Sequence, residues 1–147
     1  MSYSKLEFRF DADSLELEAG AVTGGIWVLV GGRAFPEVGW NDFVVRCASS
    51  WVSLALTELL VSGRTVLHFF DGDFHLDAGM TEGGDVHIGG VLGVSPIGSA
   101  LEGPCVQVAC HDLVRGIMKF GSAVYMACVE RGFGSEEIDR LGKGLRR

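Results

Sequence analysis

The sequence predicts an α+β fold: a mainly antiparallel sheet with a long helix and a second helix packed on one face, and a short C-terminal helix. Apolar residues recur at three- and four-residue spacing between Phe35 and Gly63 and again between Asp112 and Glu130, which is the period of a helix with one buried stripe. Strand-length apolar runs, alternating or continuous, fill most of the remaining chain. The helical segments are too few to alternate with every strand, so hairpins must join neighbouring strands, and hairpins make a sheet antiparallel.

Lys5 to Phe10 alternates polar with apolar and suits a strand with one wet face, and Leu15 and Leu17, flanked by acids, suit a second short strand. Ile26 to Val30 (IWVLV) is a continuous apolar run expected at the centre of a sheet, ended by Gly31 and Gly32. Asn41 is placed to cap a helix with Asp42 in its first turn; Val44, Cys47, Ala48, Trp51, Leu54, Ala55 and Leu59 form the apolar stripe, and Gly63 is a natural stop. Arg64 to Phe70, Phe74 to Asp77, Asp85 to Leu92 and Pro104 to Cys110 read as strands, with a turn at Asp71-Gly72 and a loop from Gly93 to Gly103. The second helix carries Leu113, Ile117, Phe120, Val124 and Cys128 on one face. Gly132 and Gly134 break the chain before Ser135, Glu136 and Glu137 cap the last helix.

A chain of 147 residues is the size of a single domain, expected here to span residues 1–147. Its apolar share of 48% leaves few polar residues for the outside, which favours a self-associating face such as a homodimer contact. Charged and polar residues interrupt the apolar stretches before the roughly 20 positions a membrane helix needs, so neither a signal peptide nor a membrane span is expected. Cys47, Cys105, Cys110 and Cys128 form no CxxC pair and read as reduced core residues of a cytoplasmic protein.

The formal net charge of −7 argues against a nucleic-acid partner, because phosphate binding rests on clustered cations. The distribution is more informative than the total. From Thr65 to Val114 there is no Lys or Arg, while that stretch holds Asp71, Asp73, Asp77, Glu82, Asp85, Glu102, Asp112 and all four histidines. Such a segment is either a solvated acidic surface or a face for a basic partner or a cation.

Four candidate chemistries follow from residue types. Asp71, Asp73, His75 and Asp77 stand two residues apart, so on an uninterrupted strand all four project from one face, as a divalent-cation donor set or as a solvated face. A bulge at Gly72 would throw Asp71 out of register, and neither a bound metal nor a cofactor is expected. Cys110 and His111 are adjacent, but neighbours on a strand point oppositely, so adjacency does not make a thiolate–imidazole dyad. The glycine pairs fit no GxxxxGK[ST] or GxGxxG frame and read as turns and bulges. Trp40 and Trp51, eleven residues apart, would share one side of the helix; both suit core anchoring, and Trp40 is the candidate for a partner interface.

At Phe35-Pro36, Trp40-x-Asp42-Phe43, Trp51 and Phe69-Phe70-Asp71-Gly72 the chain resembles a group of small uncharacterised bacterial proteins. They share an FPxxxWxDF entry into a helix and a strand ending in F-x-D-G or a close variant. Proteins of this look are similar to immunity proteins of bacterial toxin systems, which are acidic, cytoplasmic, α+β and non-catalytic. The resemblance implies a non-enzymatic protein-binding module that neutralises a toxin, and it carries no site residue with it; the charge distribution adds the acidic surface of residues 65–114 as the face for a basic one. The alternatives are a small metal-dependent enzyme using Asp71, Asp73, His75 and Asp77, or a homo-oligomer holding a small apolar ligand between sheet and helix.

Overall fold

The computed structural model describes residues 6–94 and 100–146. It is an α+β fold with antiparallel strands throughout, but they form two sheets instead of one. The first is organised by β3 (Ala21–Val30), the strand that contains the IWVLV run. Along one edge β1 (Leu6–Phe10) pairs with its second half and β2 (Glu16–Glu18) with its first, the intervening chain bowing out through a 3-10 turn at Ala12–Ser14. Along the other edge β4 (Arg33–Phe35) and β5 (Asn41–Phe43) do the same. Gly31 and Gly32 form the two-residue link from β3 to β4 with φ of 61° and 85°, a conformation that costs glycine little. Both long edges of β3 are therefore covered by interrupted strands. Val22, Ile26, Val28 and Val30 face the core, whereas Trp27 and Leu29 are half-buried, so the apolar run resolves into the alternation of a strand.

The long helix runs from Val44 to Ser62 as α1 (Val44–Ser49), a π-helical stretch (Ser50–Ala55) and α2 (Leu56–Ser62). Its start differs from the expectation. Asn41 and Asp42 belong to β5, Phe43 occupies the capping position without a side-chain cap, and Asp42 is buried at 1% exposure. Its end agrees: Gly63 caps it at φ 80°, donating to Leu59 O at 2.8 Å. The stripe Val44, Cys47, Ala48, Trp51, Ala55 and Leu59 is buried, but Leu54 is 72% exposed. The π winding accounts for this. Its wider turn rotates each residue less, so Leu54, three positions after Trp51, falls off the stripe that α winding would have brought it nearer to. Residues Val44–Ser62 have the length and mean hydropathy, 1.5, of a membrane-crossing helix, and half of that stretch is buried inside the fold.

The second sheet is a meander of β6 (Arg64–His68), β7 (Phe74–Met80), β8 (Asp85–Val94) and β9 (Ala100–Ala109). Much of the expected Gly93–Gly103 loop is thus strand, and residues 95–99 lie outside the described residues, as do Met1 to Lys5. α3 (Cys110–Glu130) packs on β1 and β9, and α4 (Glu136–Leu145) packs on α1 and α3. Ser135 caps α4, its hydroxyl accepting from Ile138 N at 3.3 Å.

A continuous run of aromatic rings ties the layers together. Phe10 and Phe8 meet Phe120 of α3, Phe8 and Phe120 meet Trp51, and Trp51 meets Phe69, with centroids 5.4–6.0 Å apart. The run continues through Phe35 and Phe74 to Trp40. Trp51 is its hub: it is fully buried, and its indole N–H donates to His68 O at 3.0 Å.

Candidate functional site

Alternation along β6 to β9 sends Thr65, Leu67, Leu76, Ala78, Val86, Ile88, Val106 and Val108 inward. The opposite face carries Arg64, His68, His75, Asp77, His87, Cys105 and Gln107. The register aligns His68 with His75, Val66 with Asp77, and His87 with both Gly79 and Gln107. His75 Nε2 lies 3.3 Å from Asp77 Oδ1, and the His68 and His75 rings are 6.0 Å apart.

The four residues expected on one strand face are divided by the fold. β7 begins at Phe74, so His75 and Asp77 share the open face while Asp71 and Asp73 lie in the exposed loop between β6 and β7. Gly72, at φ 88°, turns that loop and ends the two-residue alternation there. Among the described residues no three His, Cys, Asp or Glu side chains converge as a cation site. The geometry that the metal-dependent alternative required is thus not formed by these four residues.

The loop is held from beneath by Asp42. Its Oδ2 accepts from Trp40 Nε1 at 3.0 Å and Asp71 N at 3.1 Å; its Oδ1 accepts from Phe43 N at 2.6 Å, and Phe70 N reaches both oxygens at 3.1–3.2 Å. A buried carboxylate is tolerated when its lone pairs are filled in this way. Trp40 and Phe43 of the FPxxxWxDF segment and Phe70 and Asp71 of the FDG segment therefore meet at the Asp42 carboxylate, which accounts for the spacing of these residues as a structural lock. Trp40 belongs to that lock and not to the helix: half-buried, it lies edge-on against Phe74 at 4.9 Å with its N–H already engaged. Neither the lock nor the burial of Asp42 was expected from the sequence; the acid between Trp40 and Phe43 was its one visible sign.

Between the strands of the open face lies a cleft of about 400 Å³. Arg64, Asp77, His87 and Cys105 stand around it, with Gly79 and Gly89 among its lining residues. A Cβ added at Gly79 would meet only Arg64 Cγ, at 4.0 Å, so the glycine leaves open space there. Asp71, Asp73, Asp77, Glu82 and Asp85 form no ion pair with Lys or Arg among the described residues; Asp85 Oδ2 accepts from Gln107 Nε2 at 3.2 Å.

The cysteines form no reactive pair. Cys110 opens α3, and the neighbouring His111 turns to Asp112, Nε2 to Oδ1 at 3.2 Å. Cys47 and Cys128 are buried. Burial first, and then the adjacent Asp42 carboxylate, pushes the Cys47 thiol well above its ordinary value, and burial pushes Cys128 from 9.0 to about 11. Cys105 is exposed and not in the core as expected, because the alternation of β9 sends Val106 and Val108 inward and Cys105 to the open face. The chain matches no protein family, no curated protein and no solved structure.

Proposed function

We propose that the chain is a non-catalytic protein-binding module, of the immunity-like kind, that takes a basic protein on the open face of the β6–β9 sheet and its β6–β7 loop. The observation that carries this reading is a set of exposed carboxylates without Lys or Arg ion pairs among the described residues, Asp77 on the open sheet face and Asp71 and Asp73 in the loop beside it. Charge of one sign steers an oppositely charged partner and fixes its orientation. The glycine-lined cleft then supplies depth. With Asp77 on its wall, it suits one Lys or Arg side chain of the partner as an anchor.

The test couples capture with two variants. Protein from the native host that binds at low ionic strength is identified, and its affinity is measured against Gly79→Leu and against Asp77→Asn. Gly79→Leu fills the cleft at a position with room for a side chain, so affinity falls while stability holds. A captured protein that is acidic, or whose affinity neither variant changes, overturns the reading.

A further inference from the structure

A second cleft, of about 540 Å³, lies on the other side of the β6–β7 loop, between the π-helical stretch and α4. Two glycines permit the close approach of helices to the π-helical stretch, Gly144 from α4 and Gly121 from α3, which does not itself line the cleft. A Cβ at Gly144 would come within 2.7 Å of Ser53 Oγ, and one at Gly121 within 2.7 Å of Val52 Cγ2. The π winding that takes Leu54 out of the core gives it to this cleft, where it lies with Phe70, the residue that Asp42 fixes through its backbone N–H. The interior is thus apolar.

Its polar groups are donors in excess. Arg46 is paired with Glu137, its Nε 3.0 Å from Oε2. Arg140 and Lys143 line the same cleft and form no ion pair or side-chain hydrogen bond among the described residues. The hydroxyls of Ser49, Ser50 and Ser53 add donors that no described acceptor uses. One acceptor is left over: Glu137 Oε1 is buried and has no hydrogen-bond partner. That oxygen is covered by the protein itself, so a molecule in the cleft does not reach it as the side chain stands.

The geometry points to a binding site for a small amphiphilic organic anion. Its apolar body lies between Leu54 and Phe70, and its acid group meets Arg140 and Lys143. The volume is that of a small-molecule site. Charge complementarity selects the anion: in a protein of net charge −7 this cleft gathers three cations against one carboxylate, which Arg46 already neutralises. The site is separate from the open sheet face, so the two proposals stand or fall independently.

The test is calorimetric titration of the full chain at low ionic strength with decanoate, 3-hydroxydecanoate, decanol and decyltrimethylammonium, with anilinonaphthalene sulfonate as a displaceable fluorescent anion. Decanoate is expected to bind one per chain and displace the dye, and decanol and the ammonium to bind far more weakly. Arg140→Gln and Lys143→Gln, both at exposed positions, should each weaken decanoate about three- to tenfold. 3-Hydroxydecanoate, which keeps the acid group and the apolar body, should bind within about threefold of decanoate. Leu54→Asp, also exposed, should abolish binding without unfolding the chain. Equal binding of decanol, no binding by either acid, unchanged affinity in both cation variants, or a dimer that Leu54→Asp dissociates would each overturn the assignment.

Discussion

At the scale of single residues, Asp42 does the most to shape the proposed binding surface, holding its loop from beneath through backbone N–H groups. Its two oxygens hold Trp40, Phe43, Phe70 and Asp71, so removing them strands several donors at once. Asp42→Ala is expected to cost about 3 kcal/mol in urea unfolding and to loosen the β6–β7 loop. A loss under about 1 kcal/mol would mean that water replaces the carboxylate. Trp51→Ala, at the hub of the aromatic run, is expected to cost about 3–5 kcal/mol. The cysteines give a pH signature. Cys128 stays protonated to about pH 11 when folded but ionises near its ordinary 9.0 when unfolded, so its contribution to stability is complete below pH 9 and lost as pH rises from there to about 11. Stability should fall across that window, and less so in Cys128→Ala; a thiol reagent at pH 8 should modify Cys105 quickly and spare Cys47 and Cys128.

At the scale of elements, the join between the two sheets is made through glycine. The Phe35 ring of β4 lies on Gly90 of β8, where an added Cβ would stand 2.6 Å from Phe35 Cδ1; at Gly79, one strand over, it would meet open space. Gly90→Val is therefore expected to cost about 1–3 kcal/mol or more by overpacking, and Gly79→Val close to nothing, both read by urea denaturation. Equal effects would mean that strand propensity and not packing governs these sites. The same positions show what the sequence could reveal. The long helix, its Gly63 stop, α3 and α4 were legible because apolar spacing and caps are local signals. Leu54 was misplaced because its spacing was judged against α winding, and the local switch to π winding leaves no mark in a single sequence. The split of one sheet into two rests on contacts such as Phe35 with Gly90, far apart in the chain. The cleft between the π stretch and α4 was invisible for that reason too: Arg46 and Glu137 are 91 residues apart.

At the scale of the whole molecule, the charges are segregated: the stretch from Thr65 to Val114 holds no Lys or Arg, and all twelve lie before or after it. Its acids were legible as a run in the sequence, but not their placement, since β7 keeps Asp77 on the open face while the loop takes Asp71 and Asp73. A basic partner approaching this side meets an acidic field, opposed on the sheet face by Arg64 at the start of β6. Its association rate should therefore fall about tenfold or more as salt rises through the range where the screening length drops below about 8 Å. Asp71→Lys, Asp73→Lys and Asp77→Lys together should slow association further at low salt and flatten the salt dependence. These carboxylates are exposed and lack Lys or Arg partners, so the triple variant should keep its stability within about 0.5 kcal/mol for each substitution. Arg140→Gln, on the opposite cleft, serves as the control and should leave the rate unchanged or raise it slightly by making the chain more acidic. Stopped-flow association across a salt series decides the matter: a rate indifferent to salt in the unaltered chain, or equal in the triple variant, would leave the acidic stretch as solvated surface alone.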